Sequence, residues 1–141
     1  MASTHVYDEV KSFLQTALTP VPVLDWDALD SALEQREDSF IVLEELFGEE
    51  VVASFGDPSG ICLRETASIQ CHCFVPAPHS SPAGRTLAES VQRAFRLQRF
   101  QGVRVLDVTP PEPNIGELNQ GIWSSVSVIT DVTMDRIEAI P

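Results

Sequence analysis

The sequence predicts an α+β fold, a mostly antiparallel sheet with two main helices packed on it, in a single domain over residues 1–141. Two segments repeat apolar residues at helical spacing: 6–18 through Val6, Val10, Phe13, Leu14 and Ala17, and 81–100 through Leu87, Val91, Ala94, Phe95 and Phe100. Residues 64–75 instead alternate, with Thr66, Ser68 and Gln70 between Ala67, Ile69 and Cys71, the pattern of a half-buried strand. The order helix, one or more strands, helix, two strands then gives helices layered on a sheet.

Pro20 and Pro22 end the first helix. Val21, Val23 and residues 24–26 follow as a short strand. Residues 27–36 are acidic and ambiguous, although Ala28, Leu29, Ala32 and Leu33 keep helical spacing behind Asp27, which can cap them. Residues 40–43 are a compact apolar run that suits a strand or a short helix. Residues 46–58 carry turn signals at Gly48-Glu49 and Gly56-Asp57-Pro58. Beyond the 64–75 strand, a Pro- and Ser-rich loop covers 76–84. Ser81-Pro82 caps the second helix, with a capping box from Thr86 to Glu89 slightly later, and Gly102 ends it. Val103, Val105, Leu106 and Val108 make the next strand, and residues 110–121 a loop. The segment 122–133 closes the sheet, with Trp123 as a packing aromatic.

The chain has 141 residues, of which 43% are hydrophobic and 21% charged, which suits one modest core. Its net charge of −12 is unevenly placed. Residues 1–60 hold thirteen acids against Lys11 and Arg36, whereas residues 61–141 hold eight acids against seven arginines. This balance argues against nucleic-acid binding, which needs cations to displace counterions from phosphate, and against an anionic membrane surface. No apolar run approaches the roughly 20 residues of a membrane span, and residues 1–8 lack the pattern of a secretory signal. Three cysteines, Cys62, Cys71 and Cys73, make no disulfide framework and fit a protein made in a reducing cytoplasm.

The most suggestive chemical cluster is Cys71-His72-Cys73. On a strand, Cys71 and Cys73 share one face and His72 takes the other, so the three do not converge on a metal, and a core-facing cysteine pair is the better reading. His5 and His79 read as solvated, and Glu44-Glu45 and Glu49-Glu50 as an acidic rim rather than a general acid and base. Phosphate-binding glycine loops are absent from the sequence. No catalytic, metal-binding or cofactor-binding residue is nominated, and no cofactor is expected. The basic feature is the set Arg85, Arg93, Arg96 and Arg99, assigned to the second helix. It reads either as a solvated face or as a subunit interface that docks on the acidic half of a neighbour. Trp26, Glu44 and Glu45 complete the candidate interface residues.

From Arg64 onward the layout resembles the tail terminator and tail-completion proteins of long-tailed phages and gene-transfer particles. The matching pieces are residues 64–76 (RETASIQCHCFVP), the 81–100 helix, residues 102–108 (GVRVLDV), a Pro/Gly loop over 109–120, and a Gly121-x-Trp123 entry into 124–130 (SSVSVIT). An N-terminal helix precedes the sheet in that family, as 6–18 does here. Residues 25–57 depart from it as an acidic, insertion-like region. The resemblance implies a non-enzymatic virion protein forming a ring, usually a hexamer. The ring closes the tail tube at its head-proximal end and receives the head-tail connector, while DNA only passes through its lumen. Such a protein partners with copies of itself, with tail tube protein and with connector proteins, and not with a membrane. Three readings stand beside it: a head-tail connector or stopper, a small binding module or chaperone, and a small enzyme using the Cys71-His72-Cys73 strand.

Overall fold

The computed structural model describes residues 4–35, 38–57, 60–76, 80–96, 99–100, 102–113 and 123–138. In chain order these form α1 (Thr4–Ala17), β1 (Val23–Asp25), a single 3-10 turn (Trp26–Ala28), α2 (Leu29–Gln35), β2 (Phe40–Asp57), β3 (Gly60–Pro76), α3 (Ser80–Phe95), β4 (Arg99–Phe100), β5 (Val103–Val108), β6 (Glu112–Pro113) and β7 (Trp123–Glu138). One sheet runs β1-β2-β3-β7-β5-β4, with β6 also on β7. Every pairing is antiparallel except β1 with β2. The fold is therefore α+β and antiparallel-rich, with three α-helices and a dominant sheet. No helix among the described residues is long and apolar enough to cross a membrane.

Alternation along β3 sorts the molecule into two sides. Ala67, Ile69, Cys71 and Cys73 point to one face and are fully buried. They meet Val126, Val128 and Val132 of β7, Val103 and Val105 of β5, and the apolar stripes of α1 (Val6, Val10, Leu14) and α3 (Ala88, Val91, Phe95). Phe13 of α1 stacks on Phe100 of β4 at a centroid distance of 4.0 Å and lies 5.7 Å from Phe95, so both helices close on the same sheet edge. The opposite face holds a smaller core. There Phe40 stacks on Phe74 at 5.1 Å, Trp123 meets Phe40 edge-on at 5.1 Å, and Ala32 of α2 covers them. The Trp123 Nε1–H donates to the Leu33 carbonyl at 2.9 Å, which satisfies the indole while its rings are buried.

Several local expectations changed. Gly48-Glu49 does not break the chain: β2 continues for 18 residues, because cross-strand pairing with β3 supplies the hydrogen bonds a turn would otherwise satisfy. The break appears instead as a register shift between Glu45 and Phe47, which leaves Leu46 extra in the strand. The second helix ends at Phe95 rather than near Phe100. Residues 99–100 pair with β5 as β4, across a turn in which Gly102 has φ +79°. The described residues 27–35 divide between the single turn and α2, and Asp27 does not cap the turn: Asp25 holds its cap position, without a capping side-chain hydrogen bond. Glu112 and Pro113 form β6 inside the expected 110–121 loop, and residues 114–122 of that loop lie outside the described residues. His79 also lies outside them, as do the side chains of His5 and Ser81.

Two charged ties fasten α1. Glu65, 1% exposed on the helix-facing side of β3, ion-pairs with Arg136 of β7 and accepts the Val6 backbone N–H at 3.4 Å. A carboxylate at a helix N-terminus meets unpaired backbone donors and the positive end of the helix dipole. Arg136 also pairs with Glu50 at 2.6 Å, so one guanidinium bridges β2, β3 and β7. At the other side of α1, Tyr7 donates to Asp25 at 2.6 Å and Lys11 pairs with Asp25 at 3.1 Å. The Tyr7 hydroxyl, helped by Lys11, holds the Asp25 carboxyl below the usual carboxylate range, while burial and then Asp25 push the phenol above its ordinary value.

Arg136→Met leaves Glu65 buried without its countercharge and should cost about 3–5 kcal/mol in urea denaturation, with Glu65→Leu added to it restoring much of the loss. The acid limb of stability tests the second tie. Asp25 titrates lower folded than unfolded, so its contribution is complete above the unfolded carboxyl value of about 3.9 and is lost as pH falls through the folded one. Asp25→Asn should therefore lower stability by under about 1 kcal/mol at neutral pH and flatten its decline below about pH 4, because the site is largely exposed.

Candidate interaction surface

The Cys71-His72-Cys73 cluster divides between the two faces of β3, as strand geometry requires. Burial pushes the Cys73 thiol up to about 12 and the Cys71 thiol well above its ordinary value, the latter also through Cys73. Neither thiol shares a face with His72, so the three cannot act as a nucleophile pair or metal clamp. His72 instead sits between two polar side chains on the opposite face. Its Nε2 lies 2.9 Å from Glu44 Oε1 on β2, and its Nδ1 lies 3.1 Å from Ser127 Oγ on β7. The Trp26 ring, 46% exposed, lies 5.2 Å away. An acid-histidine-serine chain is the order of a hydrolytic triad, but Ser127 is only 4% exposed and the ring is reversed, with Nδ1 rather than Nε2 facing the serine. These contacts join three strands across the open face. Ser68 donating to Asp131 at 2.6 Å extends the polar seam along β3 and β7.

The sheet edges are less fully covered. β1 covers only residues 41–43 of β2, and no described strand pairs with that edge from Glu44 to Asp57. This length carries Leu46 (47% exposed), Phe47 (51%), Val51 (44%) and Val52 (46%), with Glu49 and Glu50 between them. Register with β3 puts Phe47, Glu49 and Val51 on the open face. Unpaired backbone groups beside exposed apolar side chains are what strand addition by another chain requires. The far edge is short and basic: Arg99 on β4 lies directly opposite Arg104 on β5, with Leu106 52% exposed nearby.

The candidate interface residues do not all come together within one chain. Trp26 and Glu44 meet at His72 near the β1 side of the open face. Glu45 points to the helix face, where its charge acts on Tyr7. Arg85 and Arg93 lie exposed on α3, Arg93 pairing with Glu89 at 3.7 Å, and Arg96 sits exposed just beyond the helix. Arg99 is not on the helix at all but on β4, because the chain turns after Phe95 to pair with β5. Sequence reading missed Ser127, Arg104 and the exposed Phe47 and Val51. Each fits the alternation of its strand, but its role needs the inter-strand register. No protein-family model and no curated protein matches the chain.

In the folded protein a maleimide at about pH 8 should label Cys62 alone, with Cys71 and Cys73 reacting only on unfolding. Intact-mass counting of adducts checks this, and fast labelling of all three would mean that the cysteines do not face the core.

Proposed function

We propose that this chain is a non-enzymatic assembly subunit of a phage-like tail, a tail terminator whose copies form a ring at the head-proximal end of the tube. The supporting observation is the outer edge of β2 beyond Leu43, which no described strand pairs and where Leu46, Phe47, Val51 and Val52 are exposed. Exposed apolar side chains along a strand edge suit the addition of a strand from another chain. The resemblance of element order supplies the family. It rests on the sequence alone: the 6–18 helix, the alternating 64–76 strand, the 81–100 helix and the closing strand from Trp123 follow one another as in the terminators they resemble, with residues 25–57 departing from them.

The work asked of such a subunit is geometric. One surface joins its neighbours, another accepts the tube, and a third refuses a further tube ring and meets the connector. No proton transfer or covalent step is needed. The net charge of −12 suits a lumen through which DNA passes without adhering.

Adding the purified protein to polymerising tail-tube protein should shorten the tubes, with density at one end only in electron micrographs. Phe47→Glu with Val51→Glu should abolish end-binding while leaving the fold intact by circular dichroism, since both side chains are exposed. Normal tube growth in the presence of the wild-type chain would count against the terminator reading. Binding to a portal complex instead would make the chain a connector.

A further inference from the structure

Four successive pairings link one transverse row of side chains on the open face: Glu49 to Thr66, Thr66 to Thr133, Thr133 to Arg104, and Arg104 to Arg99. The row is polarised. It begins with a carboxylate on the unpaired β2 edge, crosses two neutral hydroxyls, and ends with two guanidinium groups on the β4 edge. Arg99 and Arg104 are directly opposed like charges, an arrangement that destabilises a strand pair. Neither forms an ion pair among the described residues. With Thr133, Asp135 and Gly102 they line an open pocket of about 140 Å³. The one acid in it, Asp135, already receives Arg64 through both carboxylate oxygens, at 2.8 and 3.1 Å. Two arginines line the pocket while its acid is held by Arg64 from outside it, which leaves the pocket short of negative charge and open to a carboxylate.

We infer that copies of this chain join head to tail through opposite edges of the sheet, with Glu49 of one copy entering the Arg99–Arg104 pocket of the next. The inference rests on the assembly reading above and names the contact by which subunits would meet. Symmetric pairing is disfavoured at either edge. β2 against β2 brings Glu49 up against Glu49, since Glu50 is turned to the helix face and held by Arg136, and β4 against β4 opposes Arg99 to Arg99. The opposite-edge contact instead neutralises both and places the exposed Phe47 and Val51, which flank Glu49, against the next subunit. It is heterologous, so it closes into a ring where the rotation per copy permits and otherwise runs on. β1 limits it on one side, because residues 41–43 of β2 are already paired.

Sedimentation of wild type, Glu49→Arg, Arg104→Glu and an equal mixture of the two variants tests the contact. Wild type should self-associate, more weakly as salt rises, and each variant alone should associate at least roughly tenfold more weakly. The mixture should form one-to-one pairs, because Glu49 of the Arg104→Glu copy still meets an intact pocket on the Glu49→Arg copy. Misfolding cannot produce that rescue. Wild-type association in either variant, a mixture no different from its components, or a wild type that stays monomeric at low salt would overturn the inference. Tube capping is read separately. If Glu49→Arg caps tubes as wild type does, the assembly reading stands and this contact falls. If complementation occurs but wild type never caps, the contact stands and the terminator reading falls.

Discussion

The register of β3 against its two neighbours fixes the side of the molecule taken by residues of all three long strands. β3 pairs with β2 on one side and with β7 on the other along nearly its whole length. A slip of one residue would move Ala67, Ile69, Cys71 and Cys73 from the helix face to the open face and carry His72 and Ser68 inward. The cost of burying those polar groups without partners makes the alternatives poor competitors. Helix packing, the His72 seam and the charge polarity of the sheet all follow from this alignment.

Glu65 is the exception that the alignment requires. It occupies a core-facing position between Ala67 and Leu63, where an apolar residue would satisfy the pattern. Its burial is tolerated because Arg136 and the N-terminal turn of α1 meet it there. The ion pair also ties the strand bearing Glu65 to β2 through Glu50, at the end of the sheet that neither α2 nor the smaller core reaches.

Much of this architecture was legible from side-chain periodicity. The 6–18 and 81–100 patterns gave helices, the alternation around Cys71 gave a strand with its cysteines inward, and Trp123 read correctly as a packing aromatic. What misled was local chemistry overridden by pairing. Gly48 reads as a turn until β3 is seen to satisfy its backbone, and Arg99 continues the helical spacing until β5 captures residues 99–100. The polarised row was invisible for a different reason. Glu49, Thr66, Thr133, Arg104 and Arg99 lie on five strands, and no spacing along the chain relates them. The same holds for Glu44, His72 and Ser127, which become neighbours only once three strands are aligned.

The exposed β2 edge also bears on the behaviour of the isolated chain in solution. A long strand edge without a partner among the described residues, with Phe47, Val51 and Val52 in water, is a template for indiscriminate β-aggregation. The acids interleaved with them act as gatekeepers, and the net charge of −11 over residues 1–60 makes collisions between two such edges mutually repulsive. That colloidal protection weakens as the medium approaches the isoelectric point near 4.4, where carboxylates gain protons while the apolar side chains stay as they are. The acidic half of the chain thus serves as a solubility reserve that keeps a sticky edge dispersed.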